Sequence, residues 1–236
     1  MKQIKKITGV FALSFSLFLS TVAQAADLGI YAAPKLVYGG LMAHDADKIE
    51  VAPLGSTTLK GKFDGGNILG GSIALGYDFH KSFGITVRTE LEYTLFPQIK
   101  SERPWKTSAT TKAIEYVNLN IQTLFVNVYY DFRNNSDFTP YLGIGSGISF
   151  IDAKGGEINT AGTYTCGKDS ATNFAWNINW GVAYAFTDYL SLDLSYRFVW
   201  LGDGKTKFGD WGSNRYQYEV KNMYMHQLAL GLRYAF

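Results

Sequence analysis

The residues that could do chemistry fall into two groups. The first is a set of charges at period two. Arg88, Glu90 and Glu92 alternate with Thr89, Leu91 and Tyr93, and Asp193 and Arg197 alternate with Leu192, Leu194, Tyr196 and Phe198. Lys35, Asp78 and Arg233 occupy the corresponding polar positions of their own segments. Residues two apart leave a β-strand on the same face. Four basic and four acidic side chains on such faces could line an ion-conducting passage or neutralise one another. The second group is His226 alone, on the same parity as Leu228 and therefore on the apolar face. His44 and His80 lie in polar stretches, and Cys166 is the only cysteine, so no internal disulfide can form. No Ser-His-Asp grouping and no metal-binding constellation can be argued, so no catalytic residue, metal or cofactor is expected. A Gly-x-Gly-x-Gly stretch at Gly143, Gly145 and Gly147 lies inside an alternating segment with no helix after it, which argues against a phosphate loop.

These side chains need strands to hold them, and the last fifteen residues show the pattern most plainly. From Asn222 to Phe236, Leu228, Leu230, Leu232, Tyr234 and Phe236 share one parity, while Gln227, Ala229, Gly231, Arg233 and Ala235 share the other. The run is longer than a soluble sandwich strand of about 5–6 residues. It matches the roughly 9–11 residues that a strand needs to cross a bilayer, apolar outside and polar inside. The same alternation recurs in Leu28–Gly40, Ile68–Phe79, Phe83–Phe96, Thr139–Asp152, Asn173–Phe186 and Leu190–Leu201. In Tyr116–Phe132 it changes phase, which predicts a β-bulge near Gln122 and Thr123. Pro34 interrupts the first strand and predicts a second distortion.

Eight strands result, joined alternately by long and short connections. Leu41–Asn67, Pro97–Glu115, Asp152–Thr172 and Gly202–Tyr218 read as long polar loops, whereas His80–Ser82, Arg133–Asp137 and Thr187–Tyr189 read as short turns. The expected fold is all-β: an eight-stranded antiparallel up-and-down transmembrane β-barrel with long extracellular loops and short periplasmic turns. Eight strands leave an interior only wide enough for side chains. The inward charges are therefore expected to pair and fill the lumen.

The first 25 residues read as a cleaved signal peptide: Lys2, Lys5 and Lys6, then the apolar run Val10–Leu19, then Ala23-Gln24-Ala25. Residues 26–236 form the barrel domain. Of 22 basic and 20 acidic residues, the signal takes three lysines, which leaves 19 against 20 and a net charge of −1 with histidine neutral. The apparent basic balance belongs to the signal, and no nucleic-acid partner is expected. The composition, 16% aromatic with 25 Gly and 5 Pro, suits many strands joined by turns.

The segments "RTELEY", "VNVYYDF", "FTPYLGIGSGISF", "WGVAYAFTDYLSLDLSYRF" and "HQLALGLRYAF" resemble the opacity-type surface proteins of Gram-negative bacteria. The resemblance covers about half of the mature chain, omits all four long segments, and implies a bacterial outer-membrane location. It implies a porin-like or adhesin-like barrel displaying loops for adhesion or surface interaction, with a small-solute porin or a mainly structural envelope role as alternatives. It also implies outer-membrane lipid and lipopolysaccharide, the barrel assembly machinery and a host or surface ligand as partners. Tyr234 and Phe236 resemble the C-terminal insertion signal of such barrels. His226 resembles the outward histidine of barrel-type lipid A deacylases, which pair it with a serine two positions along. Leu228 stands at that position here, and no enzyme activity is expected.

Overall fold

The computed structural model describes residues 29–61, 65–108, 111–159 and 162–236, so the expected signal peptide lies outside the described residues. The alternating segments pair into one antiparallel sheet of eleven strands. In chain order these are β1 (Ile30–Ala52), β2 (Gly55–Gly61), β3 (Asn67–Asp78), β4 (Val87–Leu95), β5 (Ile99–Ser108) and β6 (Thr111–Asp131). They continue with β7 (Phe138–Asn159), β8 (Gly162–Ala185), β9 (Leu190–Lys205), β10 (Gly209–Trp211) and β11 (Asn214–Ala235). Eight of them, β1, β3, β4, β6, β7, β8, β9 and β11, form a ring closed by the β11–β1 pair. Closure leaves the ring without free edges, the condition for a sheet to cross lipid.

The four segments expected as polar loops are largely β-structure. β1 runs on to Ala52 and folds back as β2, and β5 pairs with the start of β6. β7 and β8 stay paired as far as Asn159↔Gly162, and β10 pairs with the start of β11. Above the lipid both faces of a strand can be polar, so the hydropathy pattern fades while the backbone ladder continues. The expected turn at His80 is a single helical turn, α1 (Phe79–Phe83). Asp78 caps it by accepting the His80 N–H at 2.9 Å, and Gly84 ends it at φ 69°, a conformation that favours glycine.

Neither predicted distortion is present. β6 pairs with β7 in one register from Ile114↔Ile158 to Asp131↔Tyr141, straight through Gln122 and Thr123. Odd-numbered residues face inward along this whole span, and Leu119 and Ile121 are fully buried. The phase change in the sequence marks a change in what the lumen contains, from polar to apolar. Pro34 faces outward and pairs with Ile73 without a register shift. The true irregularities lie higher. One is between Ala153 and Gly155, and another is around Met223, opposite Gly202 (φ 85°) and beside Asn222 (φ 50°).

Outward residues on the ring are long and apolar: Leu36, Ile73, Leu91, Ile144, Leu194 and Leu230 are each about half exposed or more, the exposure expected of a surface that lipid covers. Protease added to intact cells is expected to cut only near the tips of the four long hairpins, as at the fully exposed Leu54 between β1 and β2. Recovery of fragments cut at Lys81 or Arg133, in the short connections, would contradict this orientation.

Candidate functional site

Inside the ring the side chains stack in layers. At the short-turn end lies an open cavity of about 350 Å³, with Tyr31, Asp131 and Arg233 among its lining residues. Next comes a charged layer. Glu92 on β4 accepts from the Arg197 guanidinium on β9 through both oxygens, at 2.8 Å each. Lys35 on β1 donates to Glu90 and Glu92, both at 2.8 Å. Arg88 Nε donates to Asp131 on β6 at 2.8 Å, and its Nη1 reaches Tyr31 and Glu90. Tyr31 and Tyr129 donate to Glu90 in turn. The rings of Tyr129 and Tyr141 lie 4.8 and 5.0 Å from the Arg88 guanidinium carbon, within cation–π range.

Among the residues expected in the lumen, Lys35, Arg88, Glu90, Glu92 and Arg197 are brought into one connected set. Asp193 and Arg233 sit apart as a second pair at 3.4 Å, with Tyr141 donating to Asp193 at 2.6 Å. Asp78 is not in the layer: it caps α1 and pairs with Arg133 at the short-turn end. Sequence reasoning left Asp131, Tyr129, Tyr141 and Asn127 out of the lumen set, and it placed Tyr31, Asn177 and Asn179 on inward faces without giving them a part in the charged layer. Asn179 accepts from Arg197 Nε, and Asn177 joins Asn179 to Asn127. Small residues make room for these groups. A Cβ at Gly143 would lie 2.3 Å from the Tyr129 ring, and one at Gly76 would lie 2.2 Å from Tyr31.

Beyond the charges, toward the long hairpins, the lumen turns apolar. Val37, Leu41, Phe96, Leu119, Ile121, Phe125, Ile151, Leu201, Met223 and Met225 form one buried cluster. Of the buried polar side chains set among it, Ser149 donates to the Leu201 carbonyl and Gln227 to the Met225 sulfur, so the layer offers water few hydrogen-bond partners.

A second polar knot lies above it. Lys48 on β1 donates to Glu115 on β6 and Glu157 on β7, each at 2.8 Å, with the rings of Tyr164, Tyr216 and Tyr218 around its ammonium. Burial pulls the Lys48 pKa down, but the two carboxylates outweigh it and hold the group above the ordinary lysine range. Burial pushes the Tyr164 hydroxyl up to about 12. Cys166 is buried here and donates to the Tyr216 carbonyl at 3.3 Å, and burial raises its thiol pKa, which lowers its nucleophilicity at neutral pH. The knot ties β1, β6, β7, β8 and β11 together above the membrane.

His226 projects from the outer face, as its parity implies. Its Nδ1 is hydrogen-bonded to the Tyr196 hydroxyl, and Leu228 lies two positions along. Among the described residues no group of three His, Cys, Asp or Glu is placed to hold a metal. Tyr234 and Phe236 stack edge to face where β11 ends, and the Phe236 N–H donates to the Ile30 carbonyl of β1.

A closed ring of eight strands, greasy outside and filled inside, is the geometry of an outer-membrane barrel. The chain matches the outer membrane protein β-barrel domain family over residues 10–236. It belongs to that family. It is 30% identical over 190 residues to the outer membrane protein PagN of Salmonella typhimurium, across 77% of this chain and 78% of that one. Among solved structures it is similar to OprG of Pseudomonas aeruginosa, with a TM-score of 0.51 at 12% identity over 90% of this chain and 99% of that one. It is also similar to Neisserial surface protein A, with a TM-score of 0.45 at 21% identity over 88% of this chain and 97% of that one. The protein is an outer-membrane β-barrel.

Proposed function

We propose that the barrel is an anchor for surface display, and that its hairpins carry adhesion or another surface interaction. The observation that carries this reading is the sequence of layers in the lumen. A charged layer neutralised across the ring by Glu92, Lys35 and Arg197 lies under an apolar plug. A solute would have to break buried ion pairs and then cross a dry layer, so transport through the lumen is disfavoured.

The hairpins also support display. β7 and β8 continue about nine residues past the outer rim near Phe150, which is roughly 20 Å at the rise and tilt of a barrel strand. The Lys48 knot holds five strands of this extension in fixed relation, and a rigid surface loses less entropy on binding than free loops do. Lipopolysaccharide and the barrel assembly machinery are the envelope partners of this reading, with Tyr234 and Phe236 as the insertion signal.

The test is to cut each hairpin back to a tight turn near the outer rim and to compare adhesion of cells displaying equal amounts of folded barrel. Attachment is expected to fall to background for at least one truncation. Unchanged attachment for all four, taken singly and together, would remove adhesion from the hairpins.

A further inference from the structure

The open cavity of about 350 Å³ lies at the short-turn end, on the other side of the charged layer from the hairpins. Its walls come from β1, α1 and the ends of β6, β7, β8, β9 and β11. The charges around it are unequally matched. Arg133 is bonded to Asp78 at 2.5 Å and reaches Asp131 at 3.5 Å, and Asp131 is also taken by Arg88. Lys81 stands over the Tyr189 ring, 5.9 Å from its centre.

Arg233 lines the same cavity and is poorly matched. Its side chain is only 13% exposed, yet its one ion pair among the described residues is a 3.4 Å contact from Nη2 to Asp193. The other Asp193 oxygen takes the Tyr141 hydroxyl at 2.6 Å. The Arg233 Nε is buried without a partner, and the guanidinium carbon stands 5.6 Å from the centre of the Tyr31 ring. A guanidinium offers five N–H donors in a planar fork, which suits a carboxylate held through two of them.

Two acids of the cavity are unmatched in turn. Asp137 and Asp188 line its mouth, both are exposed, and neither enters an ion pair with another described residue. The register sets their distance from Arg233. Arg233 pairs with Ser191 on β9, Ser191 pairs with Ala185 on β8, and the Ala185 N–H donates to the Asp137 carbonyl at 2.9 Å. Asp188 lies just past Ala185, in the turn between β8 and β9. Neighbouring strands are about 4.8 Å apart, so this end of β8 stands roughly 10 Å from Arg233 along the ring. Two residues of extended chain span at most about 7 Å, and the arginine side chain covers the difference.

We propose that this cavity binds a short zwitterionic peptide, its carboxylate on the Arg233 guanidinium and its ammonium at Asp137 and Asp188. A lone anion would take Arg233 but would meet two unpaired carboxylates at the mouth. A lone amine would satisfy those carboxylates and leave Arg233 as it stands. A ligand carrying both charges uses all three groups. Tyr31, Phe186 and Tyr189 give the cavity apolar wall for small side chains. The ion pairs of Lys35, Glu92 and Arg197 and the apolar cluster lie beyond it, so the peptide is held at the short-turn end and does not pass through. This inference does not depend on the adhesion reading, because it concerns the opposite end of the barrel.

The experiment titrates dialanine into the purified, folded barrel in detergent micelles and follows the heat of binding. The wild type is expected to bind it. N-acetylation or C-amidation of the dipeptide removes one charge, and each is expected to weaken binding about tenfold or more. The double variant Asp137→Asn with Asp188→Asn should show the same loss for dialanine and no further loss for the N-acetylated form. Arg233→Gln should reproduce the loss seen on C-amidation. Heat-modifiable migration on a gel shows which variants are folded, and the two exposed aspartates keep the test decisive if Arg233→Gln does not fold. Absence of binding to the wild type at millimolar dialanine would overturn the proposal, as would equal affinity for the intact, acetylated and amidated forms. Acetate binding as tightly as dialanine would also overturn it, because the carboxylate alone would then account for the site.

Discussion

Arg197→Ala is expected to lower the stability of the folded barrel by about 3 kcal/mol, the lower end of the roughly 3–5 kcal/mol for breaking a buried ion pair. The Arg197 side chain is 3% exposed and that of Glu92 is fully buried. Both guanidinium contacts to Glu92 vanish, and Asn179 loses its donor as well. Lys35 still holds Glu92, which is why the lower end of the range applies. Arg197→Lys keeps the charge but loses the two-pronged contact, so it should fall between wild type and alanine. The measurement is the urea midpoint of the barrel refolded in lipid, followed by tryptophan fluorescence. A midpoint unchanged by Arg197→Ala would mean that the charges are solvated and the lumen is wet.

Leu194→Arg is expected to destabilise by roughly 2–4 kcal/mol, the cost of an arginine at the lipid midplane of a barrel. Leu194 is 51% exposed and pairs with Val182 on one side and Leu230 on the other, well inside the apolar band. Its neighbour Ser195 is buried in the lumen opposite Gly181 and Ala229. Ser195→Arg should also destabilise, by about 1–3 kcal/mol from overpacking. The two are separable. Thinner bilayers should rescue Leu194→Arg by shortening the reach of its side chain to water, and should leave Ser195→Arg unchanged. Similar rescue of both would mean that the assigned parity is wrong.

The parity of the lipid-facing strands was legible because lipid tolerates only one kind of face. Leu228, Leu230 and Leu232 have no polar alternative in hydrocarbon, so the period-two signal is strong. The signal failed where both faces obey another rule. Val117, Leu119 and Ile121 are apolar and inward, and a reading that equates inward with polar turns them into a bulge. The hairpins above the membrane were unreadable for the opposite reason, since polar residues there alternate in burial without alternating in hydropathy. Lys48 meets Glu115 and Glu157 from 67 and 109 positions away, and only the register of three strands brings them together. The charged layer was half legible. Parity placed Arg88, Glu90, Glu92 and Arg197 inside, but not which group each would meet. Asp131 was hidden by its place beside a turn, and Asp78 was drawn out of the layer by α1 and Arg133.

The central claim is that the lumen is closed and that function resides outside it. Single-channel recording of the purified barrel in a planar bilayer tests it most directly. With the charged layer of Lys35, Glu92 and Arg197 below the plug of Leu119, Ile121 and Met225, the wild type should show a baseline without steady conductance. A stable, large, ohmic channel in every insertion would contradict the account and make the protein a porin.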